Sequence, residues 1–259
     1  MITSQGSSLL NTVTSSGKDV VIEIAHLKKA FGSNRVLNDF SATLHAGENL
    51  VVLGKSGSGK SVLIKCIIGL LKPDAGVLRV FGENVPDLSS EELDQMRVKV
   101  GFLFQSNALY DSMSVRQNLE FPLRRHGKSK SKEEVNHIVM EALNNVGLPE
   151  TVDMMPEELS GGMRKRVGLA RTLILNPEII LYDEPTTGLD PATAREIDHL
   201  IRDVQEKYNT SSVIISHDMN CVKLTSNRVV VLVDGICYAE GTYAELSKSE
   251  DRNIRQFFE

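Results

Sequence analysis

The sequence lacks any long hydrophobic run. None of its apolar stretches approaches the roughly 18 residues that a helix needs to cross a bilayer. The polar N-terminal segment also lacks the basic, apolar and small-residue zones of a secretory signal peptide. We therefore expect a cytosolic protein, which would serve any membrane from its surface.

Paired cysteines and an excess of positive charge are also missing. The three cysteines, Cys66, Cys221 and Cys237, are odd in number, include no C-x-x-C pair and stand in apolar surroundings, which indicates buried thiols in a reducing compartment. The formal net charge is -5, so the clustered positive charge that drives nonspecific nucleic-acid binding is not expected. The composition therefore disfavours nucleic acid as a partner.

The sequence does contain alternating strand and helix signals. With 259 residues, 41% of them hydrophobic, the chain can form one large or two small domains with a sizeable core. Residues 1–17 are rich in Ser, Thr and Gly, and we expect a disordered tail there. Strands are predicted at residues 20–24, 36–44, 50–53, 76–82, 98–105, 178–182 and 212–216, with a hairpin of 229–233 and 236–239 around Asp234 and Gly235. Helices are predicted from Val62, from Ser89, over 131–146 and 191–208, and after Thr242. This is an α/β pattern with a helical insert at residues 106–175.

A glycine-rich loop between a predicted strand and a predicted helix gives the first indication of function. It consists of Gly54, Lys55, Ser56, Gly57, Ser58, Gly59, Lys60 and Ser61 and is followed by Val62. Glycines let the backbone adopt φ > 0 and bring N–H groups close to phosphate oxygens, and the following helix adds its dipole. In a G-x-x-x-x-G-K-S loop, Lys60 would reach the β- and γ-phosphates and Ser61 would bind Mg²⁺. An ordinary Gly/Ser turn is the alternative, which the strand–loop–helix context disfavours.

Two carboxylates, Asp183 and Glu184, follow the apolar residues 179–182. The end of a buried strand is where an α/β sheet binds its ligand. Asp183 fits the role of holding a metal beside the loop serine, and Glu184 fits that of activating a water. Alone, Asp-Glu-Pro could simply end a strand in a turn, but the phosphate loop in the same chain favours the metal site.

A second potential phosphate site lies at Ser160, Gly161, Gly162 and Met163. Ser160 can cap a helix whose free amides form an anion-binding end. The alternative is a capped helix in which Arg164, Lys165 and Arg166 form a solvated face. Two phosphate-binding helix starts lie about a hundred residues apart, and one nucleotide does not need both.

Together these motifs resemble those of ATP-binding cassette (ABC) ATPases, over about residues 20–245. In chain order, the matching positions are Phe31, Gly54 to Ser61, Gln105, Leu159 to Met163, Asp183 with Glu184, Gly188 to Asp190, and Ser216 to Asp218. The resemblance implies an α/β fold of the P-loop NTPase class within one domain, residues 18–259. Its RecA-like parallel core and N-terminal antiparallel β subdomain would occupy residues 18–105 and 176–242, its helical subdomain 106–175, and a C-terminal helix 243–259.

The resemblance also implies an ATPase that binds ATP and Mg²⁺ between two copies of the chain, arranged head to tail. Phe31 would stack on adenine, and residues 54–62 would bind the phosphates. The catalytic residues would be Lys60, Gln105, Glu184 and His217, and the metal ligands Ser61, Gln105 and Asp183. The second copy would contribute Ser160, Gly161, Gly162, Met163 and Asp190. Taken singly, Phe31 fits a core residue, Asp190 a helix cap before Pro191, and His217 an ordinary histidine at a strand end.

One residue of the signature differs from the usual family pattern and indicates a particular branch of the family. The usual signature ends in Gln, whereas this one ends in Met163, and it resembles the ATPase subunits of Mla/Mce-type lipid transporters, as do residues 103–110 and 115–124. We therefore expect a phospholipid transport ATPase on the cytoplasmic face of a bacterial inner membrane. Its partners would be integral membrane permease subunits and an Mce-type lipid-binding subunit.

Three alternatives remain at this point. One is the ATPase of a transporter for another substrate. The second is a soluble cassette protein acting on ribosomes or DNA, although these 259 residues contain neither a second cassette nor a long coiled coil. The third is a kinase or GTPase with the same loop, which the signature and His217 disfavour.

Overall fold

The computed structural model describes residues 19–106, 108–126 and 130–258. The expected disordered tail, residues 1–17, lies outside the described residues. The strands are β1 Val20–Phe31, β2 Asn34–His45, β3 Asn49–Leu53, β4 Ala75–Val80, β5 Glu83–Asn84, β6 Val100–Leu103, β7 Ile179–Asp183, β8 Ser211–Ser216, β9 Arg228–Val233 and β10 Ile236–Gly241. The α-helices are α1 Lys60–Ile67, α2 Ser90–Lys99, α3 Val115–His126, α4 Lys132–Asn145, α5 Gly161–Leu173, α6 Pro191–Tyr208, α7 Met219–Thr225, α8 Tyr243–Leu246 and α9 Arg252–Arg255.

The strands form one sheet in the order β5-β4-β1-β2-β10-β9-β3-β8-β7-β6. One half of the sheet is parallel and consists of β9, β3, β8, β7 and β6. The other half is antiparallel and consists of β2, β1, β4 and β5. The two halves meet where β10 pairs with β2 through Ile236 and Asp39. This matches the predicted parallel core with an antiparallel N-terminal part.

Helices cover both faces of the parallel half, which explains its continuous apolar runs. Every residue of β3, β7 and β8 is buried, as expected of strands that are covered on both sides. Along β3, Leu50 and Val52 face a core shared with β1, β2, β4 and α1, while Val51 and Leu53 face a core shared with α6 and α7. The carboxyl ends of β3, β7 and β8 therefore meet at one edge of the sheet.

The helical insert has its own core. Apolar residues of α3, α4 and α5 pack against one another, with Leu119, Leu143 and Val167 almost fully buried. A capping box joins Ser131 and Glu134 at the start of α4, as the sequence predicts. The segments between these helices are irregular or form single 3-10 turns at Pro149–Thr151 and Pro156–Glu158.

Three predicted elements are wrong in extent. The strand predicted at residues 20–24 continues to Phe31 as β1, because it pairs with β2 as far as Asn34. The strand predicted at residues 98–105 is only β6, because the helix that Ser89 and Glu92 cap continues to Lys99. The single C-terminal helix predicted for residues 243–259 consists of α8 and α9, because the Asp251 side chain accepts from the Asn253 amide and starts a new helix.

The structure tests two expectations from the sequence, that the three cysteines are buried thiols and that no helix spans a membrane. Cys66 and Cys221 are fully buried free thiols, whereas Cys237 is partly exposed, since β10 alternates between exposed and half-buried positions. Burial raises the pKa of both the Cys66 and the Cys237 thiol to about 11. No helix within the described part of the chain is long and apolar enough to cross a membrane.

A buried carboxyl group in α6 gives a first prediction about stability. Asp198 is 0% exposed, and the weak donor beside its carboxylate is the buried thiol of Cys221. Burial raises the pKa of Asp198 from 3.8 to about 6, a difference that corresponds to about 3 kcal/mol. Because the folded state binds the proton more tightly, stability falls as pH rises from 3.8 to 6 and stays reduced above that range.

We therefore expect Asp198→Asn to increase the free energy of unfolding at pH 8 by about 1–2 kcal/mol, since the uncharged amide is less costly to bury. The gain should shrink at pH 5, where the wild-type group is mostly protonated. Urea unfolding at both pH values, with exposed Asp203→Asn on the same helix as control, measures this difference. An equal effect at both pH values would contradict it.

Candidate nucleotide-binding and hydrolysis site

The glycine-rich loop joins β3 to α1 and depends on backbone conformations that glycine permits. Gly57 has φ 79° and Gly59 has φ 105°, a region that side chains disfavour. A Cβ on Gly59 would also lie 2.8 Å from Val36 Cγ1 and 3.0 Å from the Val36 carbonyl oxygen. The loop therefore packs tightly on β2 and leads directly into α1, the strand–loop–helix arrangement that phosphate-binding loops use.

Lys60 is buried at the first turn of α1. Its ammonium donates to the carbonyl oxygens of Gly54 at 2.7 Å and Lys55 at 2.9 Å. Burial lowers the pKa of Lys60, while the carboxylates of Glu184 and Asp183 oppose that shift. The loop thus holds a fixed positive charge beside two negative charges.

Ser61 and Asp183 lie together, although 122 positions separate them. The Ser61 hydroxyl donates to Asp183 Oδ1 at 3.1 Å, and burial raises the pKa of the Asp183 carboxyl. Hydroxyl and carboxylate oxygens are hard ligands that suit Mg²⁺, which proteins commonly bind with one or two carboxylates and the phosphates of the substrate. No cluster of three or more His, Cys, Asp or Glu that could hold a metal exists within the described ranges. The residues therefore fit a Mg²⁺ ion that arrives with a nucleotide.

Glu184 lies at the end of β7 in an unusual conformation. Its φ is 50°, which costs on the order of 1–3 kcal/mol for a residue with a side chain. Its amide donates to the Ile215 carbonyl of β8 at 3.0 Å. The carboxylate accepts from the Thr187 hydroxyl at 2.6 Å and lies 2.9 Å from His217 Nδ1. The structure thus brings Glu184 and His217 together from two strands.

Phe31 ends β1 and is 48% exposed. The Lys29 ammonium lies 5.5 Å from its ring centroid. The interpretation of Phe31 as a core residue is therefore wrong, because the turn that follows β1 carries it to the surface. Its exposed ring is available for stacking.

The Ser-Gly-Gly segment lies at the start of α5, beside the loop that ends in Asp190. The Ser160 hydroxyl accepts from the Met163 amide at 3.2 Å, and Asp190 caps α6. A Cβ on Gly162 would lie 2.5 Å from Thr193 Cγ2 of α6, so this glycine permits close packing of α5 on α6. Among the described residues, the side chains of Ser160 and Asp190 form hydrogen bonds with positions two or three residues further along the chain. Both segments are thus built with their polar groups at the surface.

Lys165 was not predicted as a site residue. The sequence suggests a solvated basic face, yet Lys165 is 2% exposed and its ammonium donates to the Gln105 carbonyl at 2.6 Å. Burial lowers the pKa of Lys165 to about 8, against the opposing effect of Asp183 and then Glu184. The sequence does contain one indication that Lys165 is buried. It stands four and eight positions before Leu169 and Leu173, and this spacing puts it on the apolar side of α5.

Gln105 itself is exposed just after β6. Its backbone carbonyl is tied to α5 by Lys165, and a few residues further on Arg171 of α5 donates to the Ala108 carbonyl at 2.8 Å. Gln105, Ala108 and the signature segment are therefore attached to the same helix.

These contacts lead to a second prediction. We expect Lys165→Met to lower kcat for nucleotide hydrolysis about ten-fold with little change in KM, because Gln105 loses its tether while the phosphate loop stays intact. Steady-state kinetics with Lys165→Arg as control measures the effect, since arginine keeps a donor. Wild-type kcat in Lys165→Met would show that the tether is not needed.

Phosphate-loop glycines, a buried loop lysine and a strand-end carboxylate on the loop serine define a P-loop nucleoside triphosphatase. Residues 37–187, more than half of the chain, match the ABC transporter family. The chain belongs to this family as an ATP-binding, ATP-hydrolysing subunit.

Three known proteins are similar to the chain. It is 41% identical over 238 residues to a probable ribonucleotide transport ATP-binding protein, Mkl, of Mycobacterium leprae, which covers 92% of the chain and 68% of that protein. It is 35% identical over 237 residues to the intermembrane phospholipid transport system ATP-binding protein MlaF of Haemophilus influenzae, covering 92% of the chain and 89% of MlaF. The ATP-binding cassette MJ0796, solved as a dimer bound to ADP and Pi, superposes with a TM-score of 0.78 at 31% identity, over 85% of the chain and 98% of MJ0796.

Proposed function

We propose that the chain hydrolyses ATP in a head-to-tail dimer that powers phospholipid transport between the membranes of a bacterial envelope. The juxtaposition of Lys60, Ser61 and Asp183 at the phosphate loop is the observation that carries the hydrolytic part. The similarity to MlaF over 89% of its length carries the choice of cargo.

Each residue of the site has a defined task in this proposal. The amides of residues 57–61 and the Lys60 ammonium hold the β- and γ-phosphates, while Phe31 stacks on the adenine. Ser61, Asp183 and Gln105 hold the Mg²⁺ ion, which when bound neutralises phosphate charge. Glu184 accepts a proton from the attacking water, and His217 contacts the γ-phosphate.

The contact between Glu184 and His217 suggests how the site is prepared. His217 and Thr187 both contact the same carboxylate oxygen of Glu184, Oε2. In this proposal, a turn of His217 toward the γ-phosphate leaves Oε2 with Thr187, and the carboxylate then orients the attacking water.

The second copy completes each site. Gly161 and Gly162 lie in the first turn of a 13-residue helix that Ser160 caps through the Met163 amide, and such a helix start stabilises phosphate charge. Since the side chains of Ser160 and Asp190 bond to neighbouring residues within the described chain, we assign the amides of Gly161 and Gly162 to the nucleotide of the opposite copy. The dimeric form of the similar cassette MJ0796 supports this arrangement.

An exposed cleft beside Gln105 is the surface that we assign to the permease. Its volume is about 460 Å³, and Leu70, Phe104 and Tyr110 contribute to its lining. Leu70 is 51% and Tyr110 44% exposed, and both line the same cleft, as apolar residues at a protein interaction site do. A permease segment seated there would touch the strand that ends just before Gln105 and the insert that carries the signature.

The proposal places the dimer on the cytoplasmic face of the inner membrane, with an Mce-type lipid-binding subunit in the same complex. Co-purification of the tagged chain from its native membranes in mild detergent, followed by mass spectrometry of proteins and lipids, tests it. Recovery of a permease, an Mce-type subunit and phospholipid is expected. Recovery of a different permease would keep the ATPase and overturn the cargo, as the name of the Mkl relative, ribonucleotide transport, illustrates.

Leu70→Asp provides the matched control for that experiment. A carboxylate in the cleft should abolish recovery of the permease while the isolated chain still hydrolyses ATP. Permease recovery at the wild-type level would show that the permease binds another surface of the chain.

A further inference from the structure

A cavity of about 520 Å³ lies between the phosphate loop and the C-terminal segment. One wall is formed by residues 55–58 of the loop and another by residues 34–36 at the start of β2. A third wall comes from Asn253, Gln256 and Phe257. No motif in the sequence assigns these three residues to the site.

The position of the cavity identifies which part of the nucleotide it faces. Phe31 pairs with Asn34 across the turn between β1 and β2, so the proposed stacking position for the base adjoins one wall. The loop that holds the phosphates forms the adjoining wall, where Gly59 packs against Val36. A nucleotide that spans Phe31 and the phosphate loop therefore has its ribose beside this cavity.

The C-terminal segment is firmly docked on its own chain. Ile254 is 7% exposed and belongs to the core that covers α6 and α7. The Tyr238 hydroxyl donates to Asp251 at 2.8 Å and accepts from Asn253 Nδ2 at 3.0 Å. The rings of Tyr243 and Phe258 meet edge to face at 5.4 Å. These contacts fix the wall in place without a second copy.

The chemistry of the walls suits a polar, anionic ligand. The lining carries Arg35 and Lys55, with Asp234 as its carboxylate. Gln256 uses its Nε2 to donate to the Asn253 carbonyl at 2.7 Å, which orients its amide while leaving Oε1 able to accept from a hydroxyl.

We propose that the segment from Asp251 to Phe258 forms a wall of the nucleotide site in cis and that Gln256 contacts the ribose. This inference rests on the proposed function, since it takes the position of the nucleotide from Phe31 and the phosphate loop. The segment after β10 thereby becomes part of the ATP site.

Binding of ADP and of inorganic triphosphate to the isolated chain, at concentrations where it is monomeric, tests the proposal. Gln256→Ala should weaken ADP binding about five-fold, the effect of one lost hydrogen bond, and leave triphosphate binding unchanged. Lys248→Ala, an exposed change outside the cavity, should alter neither. Circular dichroism of each variant checks that the fold is retained.

Gln256→Glu adds a test by chemistry. A carboxylate keeps an acceptor for the ribose hydroxyl, so Gln256→Glu should bind ADP more tightly than Gln256→Ala does, whereas Lys248→Glu should bind ADP as the wild type does. Wild-type ADP affinity in both Gln256 variants would overturn the proposal, and so would an effect confined to the ATP-bound dimer, because the contact would then come from the second copy. Failure of the wild-type chain to bind either ADP or inorganic triphosphate would instead overturn the proposed function itself.

Discussion

Replacing Glu184 by glutamine is expected to lower the rate of ATP hydrolysis at least a hundred-fold and to leave ATP binding intact. Glutamine keeps the shape of the side chain and can still accept from Thr187, but it cannot take a proton from water. General-base catalysis contributes about 10²–10⁴-fold. Because ATP would bind without being consumed, the variant should accumulate as an ATP-bound dimer in size-exclusion chromatography.

The exposed Glu178→Gln offers the control, since it changes the same chemical group a few residues away, where the Glu178 carboxylate lies 3.5 Å from the Lys99 ammonium. It should hydrolyse ATP at the wild-type rate. A Glu184→Gln chain that still hydrolyses ATP as a monomer would contradict both the assigned base and the need for a dimer.

Mixing two inactive variants should restore activity. Lys60→Ala removes the buried cation of the phosphate loop, and Ser160→Arg places a bulky side chain at the start of α5, so each homodimer should lose more than nine-tenths of its activity. A mixed dimer holds one site in which both the loop and the signature are intact. If the two sites act independently, an equal mixture should regain about a quarter of the wild-type rate.

ATPase assays over a range of mixing ratios measure this complementation. Recovery should be greatest at equal amounts and absent when both changes are in one chain mixed with itself. No recovery at any ratio would argue that Lys60 and Ser160 do not serve the same nucleotide from opposite copies.

The motifs at strand ends could be predicted from the sequence because they are local. Each combines a short apolar run with a fixed set of polar residues, as at the phosphate loop and at Asp183, and the sheet order then brings them to one edge. The hydrogen bond from Ser61 to Asp183 follows from that arrangement. The roles of these residues in catalysis remain predictions.

Other parts of the site depend on packing between distant segments. Lys165 has the composition of a surface residue, and only its place on the apolar side of α5 reveals that it is buried. The residues around Gln256 give no indication that it lies at the site. Its position depends on the burial of Ile254 and on the helix start at Asp251, which together set the course of the chain. Contacts of this kind are fixed by tertiary structure, which short-range patterns do not encode.

Helix α5 behaves as a stiff rod about 20 Å long. Its first turn carries the signature, and Lys165 and Arg171 attach it to the residues that border the cleft near Tyr110. A displacement at one end therefore moves the other by a similar distance. In the proposed complex, two copies closing around ATP would displace the first turn of α5. The helix would transmit that displacement to the permease seated in the cleft.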